Sequence, residues 1–167
     1  HLSTIFYLGT LYSQLKKFSL AKSFLLKADK LNPNNLNINL NIGNLYFNTG
    51  ESESALERFN KVIRIKPNYI LAHFNKGIIL NSQRKYKESI LCFEKVIEID
   101  PNNINSYNLL GIILQETGDF KKSLFYLKKS LMIAPDNLRV VHTMLNLLKS
   151  IQLSNISKKN STDLVEL

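Results

Sequence analysis

Apolar residues in this chain recur at helical spacing rather than in alternation. In the first two segments they lie three or four positions apart: Leu8, Leu11, Tyr12 and Leu15, then Leu20, Phe24, Leu25 and Ala28. An α-helix has about 3.6 residues per turn, so this spacing places each set on one helical face. The pattern predicts pairs of amphipathic helices.

The prolines define the length of the repeating unit. Only Pro33, Pro67, Pro101 and Pro135 occur, and neighbours are 34 residues apart. A fixed period of this size is typical of helical repeat arrays, in which one unit cannot bury its own apolar face. We therefore predict four units and a terminal helix, at residues 2–35, 36–69, 70–103, 104–137 and 138–151.

Three further columns of equivalent residues support this frame. The glycine column is Gly9, Gly43, Gly77 and Gly111; the small column is Ala21, Ala55, Ser89 and Ser123; the large column is Leu25, Phe59, Phe93 and Leu127. Glycine inside a helix costs about 1 kcal/mol relative to alanine, so its recurrence needs a compensating reason. We expect the partner helix, which carries the small column, to approach closely there.

The connections between helices are marked by turn-forming residues. Gly50 and Gly118 are placed to end a first helix in the left-handed conformation, and Lys16 and Arg84 stand there in the other units. At the other end of each unit, proline followed by Asn or Asp stops the second helix and caps the next one. Such short connections make neighbouring helices antiparallel.

These motifs resemble the tetratricopeptide repeat family, whose pattern places Leu-Gly, Tyr, Ala, Phe and Pro at set offsets. The matching residues in the first two units are Leu8, Gly9, Tyr12, Ala21, Leu25 and Pro33, then Ile42, Gly43, Tyr46, Ala55, Phe59 and Pro67. The resemblance implies an all-α fold, a right-handed α-solenoid of antiparallel helix pairs whose first helices line a concave face. It also implies a protein–protein interaction scaffold that binds an extended peptide or partner segment in that groove.

The end of the chain departs from the repeat. Leu138, Val141, Leu145 and Leu148 predict the apolar face of the terminal helix, and Leu145 occupies the glycine column. This fits a last helix without a closely packed partner. Residues 152–167 are expected to form a polar linker into a missing region, with Leu164, Val165 and Leu167 suggesting a new helix. Because the chain begins inside a repeat with His1, we also expect an upstream part.

Composition places the chain among ordinary globular proteins. It is 44% hydrophobic and 21% charged, and has no apolar run long enough for a membrane span. Cys92 is the only cysteine, so the fold does not depend on a disulfide, and we expect a cytoplasmic protein. The net charge of +9 could attract an anionic partner or could reflect lysine enrichment from A/T-rich codons.

Residue spacing predicts no catalytic, metal or cofactor site. His1, His73 and His142 share no metal-ligand spacing with one another or with Cys92. There is no phosphate-binding glycine loop and no nucleophile motif. His73 stands where an aromatic residue usually packs, so we interpret it as an imidazole at the edge of the core.

An asparagine stripe runs along the first helix of the second unit. Asn37, Asn41, Asn44 and Asn48 share one face, Asn75 continues the row, and Asn81, Asn105 and Asn108 lie near it. Asparagine is a mediocre helix former, and its amide both donates and accepts hydrogen bonds, which suits it to bind peptide backbone. The alternative is a solvated face enriched in asparagine by codon bias.

The stripe resembles the asparagine ladder of repeat domains that recruit substrates to protein O-glycosyltransferases. Asn41 and Asn75 occupy the ladder position, whereas Tyr7 and Leu109 replace it in the outer units. The resemblance implies an alternative function, the substrate-recruiting arm of a larger modifying enzyme. Phe6, Leu40 and Phe74 form an apolar row beside the stripe, which favours an apolar or amide-rich peptide.

Lysines recur on the second helices instead. Lys27, Lys61, Lys95 and Lys129 share one repeat position, which would place them on the outer side of the array. We interpret them as a solvated face. A nucleic-acid or anionic surface remains the third functional alternative, although helical repeats that read RNA bases have a longer period and lack this proline punctuation.

Overall fold

The computed structural model describes residues 1–163, which form nine α-helices and no strand. In chain order the helices are α1 Leu2–Gln14, α2 Phe18–Leu31, α3 Leu36–Asn48, α4 Ser52–Ile65, α5 Ile70–Ser82, α6 Tyr86–Ile99, α7 Ile104–Glu116, α8 Phe120–Ile133 and α9 Leu138–Asp163. The fold is an all-α solenoid of helix pairs, as predicted.

The chain divides into two compact units. The first, His1–Ile99, contains the three helix pairs α1/α2, α3/α4 and α5/α6, and the second begins at Asp100 and contains α7, α8 and α9. In each complete pair the first helix has 13 residues and the second has 14. The constant lengths follow from the 34-residue period, because each proline ends its second helix at the same repeat position.

The glycine column marks the closest contact within each helix pair. A Cβ atom at Gly43 would lie 2.6 Å from Cε1 of Phe59, and one at Gly111 would lie 2.5 Å from Cγ of Leu127. The large column therefore fills the space above the glycines. The small column contributes as well, since the Ser89 hydroxyl donates a 2.8 Å hydrogen bond to the Gly77 carbonyl.

The turns after the first helices all contain a residue in the left-handed region. Gly50 and Gly118 have φ of 83° and 82°, as predicted, and Lys16 and Arg84 adopt φ of 57° at the equivalent positions. For residues with a Cβ atom this conformation costs roughly 1–2 kcal/mol. The first and third turns are therefore strained where the second and fourth are relaxed.

Each new helix pair in the first unit packs on the pair before it. Ile38, Ile42 and Leu45 on α3 are at most 2% exposed and belong to one apolar cluster with Leu25 and the alanines of α2. Burying such a side chain contributes about 1.5–3 kcal/mol. The interface between consecutive pairs is thus a continuous part of the core.

The terminal helix differs from the prediction in length. α9 runs to Asp163, so the expected helix end at Ile151 and the linker from Gln152 are wrong for the described residues. The polar stretch after Ile151 contains neither proline nor glycine, and lysine, glutamine and serine are tolerated in helices, so nothing in the sequence stops the helix. The further helix suggested by Leu164, Val165 and Leu167 lies outside the described residues.

The apolar face predicted for α9 is not the one that packs on the preceding helix pair. Val140 and Leu147 are at most 1% exposed and pack on Leu127, whereas Leu145 and Leu148 are about half exposed. The repeat frame does identify the buried face, because the residues of α3 and α5 that are equivalent to Val140 and Leu147 pack on the preceding helix pair. Helical spacing alone did not distinguish the two faces, since both are apolar.

Candidate functional site

The first helices of residues 1–99 share one side of that unit. α1 contacts α3 and α3 contacts α5, and two clefts lie between these helices. We call the cleft between α3 and α5 the asparagine cleft. It measures about 260 Å³ and is lined by Asn44, Phe47, Asn48, Asn75 and Ile78.

The asparagine cleft is organised by a hydrogen bond across the two helices. Nδ2 of Asn75 donates to Oδ1 of Asn44 at 2.7 Å. Nδ2 of Asn44 and Oδ1 of Asn75 make no hydrogen bond to another described residue. The paired amides therefore retain one donor group and one acceptor group side by side, the complement of a peptide group.

The second cleft lies between α1 and α3 and is mainly apolar; we call it the aromatic cleft. It measures about 230 Å³, and its lining residues are Leu2, Ser3, Phe6, Tyr7, Asn35, Asn37 and Ile38. The rings of Phe6 and Tyr7 lie 5.7 Å apart, and Tyr7 is 68% exposed. Exposed aromatic surface beside a concave apolar floor is a suitable contact for an incoming side chain.

The outer part of the asparagine stripe is engaged within the protein. Nδ2 of Asn41 donates to the Asn37 carbonyl of its own helix at 2.8 Å, and the Tyr69 hydroxyl donates to Oδ1 of Asn37 at 3.1 Å. A side-chain bond to the carbonyl one turn earlier uses one of the two N–H donors that a ladder residue would offer to peptide. Asn41 is therefore held against its own helix, and it lines neither cleft.

Other predicted site residues lie elsewhere. Leu40 is only 7% exposed and packs in the core with Phe59, so it cannot belong to a surface row. Phe74 is partly buried against Phe93, with ring centroids 5.6 Å apart. The apolar row thus mostly serves the interior, because its repeat position faces the helix-pair interface. Only Phe6 lines a cleft.

The more distant asparagines also separate from the clefts. Asn81 lies on α5, half-buried, and lines neither cleft. Asn105 is exposed and Asn108 is 5% exposed, and both belong to α7 in the second unit. From the predicted set, the structure therefore brings Asn44, Asn48 and Asn75 together in the asparagine cleft and Phe6 and Asn37 in the aromatic cleft.

Sequence reasoning missed a buried polar network around Asn39. This residue is 0% exposed; its Nδ2 donates to the Pro33 carbonyl at 2.7 Å, and its Oδ1 accepts from Arg58 at 3.0 Å. Arg58 also pairs with Asp29 at 2.8 Å, which links three helices. The repeat frame shows that His73 occupies the position of Asn39 in the next unit. Nε2 of His73 donates to the Pro67 carbonyl at 2.7 Å. His73 therefore holds the connection between repeats.

Comparisons with known proteins give the family. Models of the tetratricopeptide repeat match residues 4–35, 70–103 and 92–125, and a TPR repeat model matches residues 43–83. The chain belongs to the tetratricopeptide repeat family. Repeats of this family act as scaffolds for protein interaction, and this chain is such a scaffold. Comparison with curated proteins finds no match to its sequence.

Solved structures share the tetratricopeptide fold at low sequence identity. A MamA fragment from Desulfovibrio magneticus RS-1 superimposes with a TM-score of 0.83 at 19% identity, covering 99% of this chain and 94% of that one. PilF of Pseudomonas aeruginosa gives 0.79 at 19% identity, covering 95% and 72%. The APC/C hetero-tetramer Cut9-Hcn1 gives 0.76 at 16% identity, covering 86% and 29%. These likenesses concern the fold alone.

Three of the repeated lysines of the tetratricopeptide units contact their own helices. Nζ of Lys95 lies 2.6 Å from a carboxylate oxygen of Glu98, and Lys27 and Lys129 lie over aromatic rings of their own helices. Such contacts are typical of a solvated helical face, where exposed ion pairs contribute little. In the first unit the clefts and the lysines are on different helices.

The ionisable groups with shifted pKa values do not lie in either cleft. A hydrogen bond from Lys22, assisted by one from Thr49, holds the pKa of Glu51 below its ordinary value. Burial raises the pKa of the Cys92 thiol, so the protonated and less reactive form is favoured. Among residues 1–163 no group of three potential metal ligands is found, and no helix is long and apolar enough to cross a membrane.

Proposed function

We propose that residues 1–99 bind an extended segment of another protein along the side formed by α1, α3 and α5. The observation that supports this function is the Asn75–Asn44 amide pair, 2.7 Å apart, at the rim of the asparagine cleft. The paired amides offer a donor and an acceptor to one peptide group. The role is recruitment, with no chemistry assigned to these residues.

The lining of the two clefts indicates the class of ligand. No Lys, Arg, Asp or Glu lines either cleft, so neither favours a charged side chain. Phe47 and Ile78 provide an apolar floor beside the amides, and Phe6 and Tyr7 provide an aromatic wall in the other cleft. We infer a peptide with accessible backbone amides and at least one apolar or aromatic side chain.

Weak salt dependence distinguishes this proposal from the electrostatic alternative. Binding through neutral amides and apolar contacts should change little between low and physiological salt. A nucleic acid bound by the lysines would release counterions and lose affinity steeply as salt rises. The same titration at two salt concentrations therefore separates the two functions.

The test uses a peptide selected on the intact chain from a random library. The variant Asn44→Ala/Asn75→Ala should remove hydrogen bonds worth about 0.5–1.5 kcal/mol each, which weakens binding several-fold to about a hundredfold. Folding should persist, because alanine is the better helix former and neither amide is buried in the core. Calorimetric titration measures the affinity.

The matched control is Lys61→Ala/Lys95→Ala on the second helices, which should bind the selected peptide with the parent affinity. Methylating the peptide amides one at a time should locate the backbone contact. Equal affinity of the asparagine variant and the parent would reject the amide pair as the binding element. Loss confined to the lysine variant would place the binding surface on α4 and α6.

A further inference from the structure

α9 has a second apolar face that nothing covers within residues 1–163. On one side Val140 and Leu147 are at most 1% exposed against α7 and α8. On the opposite side Leu138, Leu145 and Leu148 are 81%, 51% and 50% exposed. We call Leu138, Val141, Leu145 and Leu148 the outer seam of α9.

In the complete repeat pairs the corresponding face is occupied by the second helix. On α7 it contains Gly111, whose Cβ would lie 2.5 Å from Leu127 of α8, and Leu114, which is 5% exposed. In α9 the same position as Gly111 is Leu145. A helix therefore cannot approach the outer seam as closely as α8 approaches α7, and an occupant must pack at the ordinary interaxial distance of about 8–10 Å.

The spacing of the outer seam specifies how a helix would pack there. Its residues are separated by three, four and three positions, which is the heptad pattern of a helix-on-helix interface. Contiguous apolar side chains that stay exposed on one helical face are typical of an interaction surface.

The charges beside the outer seam select among possible occupants. Lys149 follows Leu148 on the exposed side of α9 and flanks the outer seam, and no Asp or Glu occurs between Leu138 and Leu153. A second copy would bring its own Lys149 to the same interface, and like charges oppose such pairing. A helix with carboxylates beside its apolar stripe would be attracted instead.

We propose that the outer seam of α9 docks an amphipathic helix of another protein that carries acidic residues beside its apolar stripe. Leu145 and Leu148 pack between the apolar side chains of the partner helix, and Lys149 pairs with a carboxylate at the edge of that apolar stripe. This surface belongs to α9 and is independent of the clefts between α1, α3 and α5.

Two synthetic helical peptides of about 21 residues test the proposal on the intact chain. Both have leucine at the seam positions; one has glutamate at the flanking positions and the other has lysine. We expect the glutamate peptide to bind at least tenfold more tightly than the lysine peptide at low salt, with the difference shrinking as salt rises. Fluorescence anisotropy measures both affinities.

Variants then assign the site. Leu145→Ser/Leu148→Ser should weaken the glutamate peptide at least tenfold, and Lys149→Glu should weaken it while improving binding of the lysine peptide. The control Leu91→Ser removes a leucine that is 66% exposed on α6 and should leave binding unchanged. Circular dichroism establishes that each variant remains folded, which is expected because the replaced side chains are at least half exposed.

The remaining outcomes reject the proposal. They are failure of the glutamate peptide to bind at about 1 mM, equal affinity for both peptides, or binding insensitive to Leu145→Ser/Leu148→Ser. Sedimentation equilibrium of the chain alone examines the other occupant. Self-association that Leu145→Ser/Leu148→Ser abolishes would mean that a second copy covers the seam.

Discussion

Replacing Gly77 with alanine tests the close contact within a repeat pair. A Cβ atom at this position would lie 2.9 Å from Cζ of Phe93 and 3.2 Å from Cβ of Cys92. Phe93 is 0% exposed and Cys92 is 7% exposed, so neither side chain can rotate into solvent. The helices must separate, or Phe93 must leave its preferred position.

The expected cost follows from two opposing effects. Overpacking a core by one methyl group costs roughly 1–3 kcal/mol, and the neighbours of Gly77 place it in the upper part of that range. Alanine regains about 1 kcal/mol of helix propensity. We therefore expect Gly77→Ala to lower the free energy of unfolding by about 1–2 kcal/mol and the melting temperature by about 2–8 °C.

Chemical denaturation followed by circular dichroism measures the change, and Phe93→Leu provides the matched partner. Because Phe93→Leu removes ring atoms that meet the new Cβ, the cost of Gly77→Ala should be smaller in the double variant. The coupling should be about 0.5 kcal/mol or more. If Gly77→Ala instead raised stability by about 1 kcal/mol, as at an open helical position, the close contact would be refuted.

Three further predictions concern turns, the buried network and pH. Arg84→Gly should raise the free energy of unfolding by up to about 1 kcal/mol, because relief of the left-handed strain at Arg84 exceeds the freedom that glycine adds to the unfolded chain. Gly50→Ala should lower the free energy of unfolding by a similar amount, so the melting temperatures of the two variants should shift in opposite directions. Arg58→Ala should lower the free energy of unfolding, measured by denaturant titration, by about 3 kcal/mol, because Asp29 and Asn39 lose their partner in a largely buried site. A decrease of under about 1 kcal/mol, as expected for the exposed Lys95→Ala, would contradict this. Glu51→Gln should destabilise the protein at neutral pH, and the difference in stability between variant and parent should vanish as the pH falls below the ordinary carboxyl pKa of 4.5 and through the lowered pKa of Glu51. A difference in stability that does not depend on pH would reject the Glu51–Lys22 pair.

The repeat frame could be predicted from the sequence because several columns of equivalent residues recur with the same period. A 34-residue period in Pro33 and its equivalents, and in the glycine column, is enough to predict the number and order of the helices in the four complete units. The turn glycines were also predictable, since the left-handed conformation favours glycine. Lys16 and Arg84 adopt that conformation because the fold requires it despite their residue type.

The site was less predictable because asparagine serves several purposes in this chain. Asn39 is buried in the connection between repeats, Asn41 bonds to its own helix, and Asn44 pairs across helices with Asn75. Helical spacing gives the angle of a side chain about the axis but not its hydrogen-bond partner. Leu40 and Asn108 were placed on the surface for the same reason, although each faces the interior.

The end of the chain was mispredicted because both faces of α9 are apolar. The spacing of Leu138 and Leu145 is as regular as that of Val140 and Leu147. Only packing on α7 and α8 decides which face is inside. The repeat frame would have resolved this, since Leu147 is equivalent to the buried Ile79 and Ile113.

The side-chain amide resonances of the asparagines provide the most direct test of the proposed binding surface. The intact chain, labelled with nitrogen-15, is titrated with the library-selected peptide. We predict that the amide signals of Asn44, Asn48 and Asn75 shift in proportion to bound peptide, while the helix-capping Asn103 and the buried Asn39 amides stay unchanged. Unshifted cleft amides together with shifted backbone signals on α2, α4 and α6 would contradict the account.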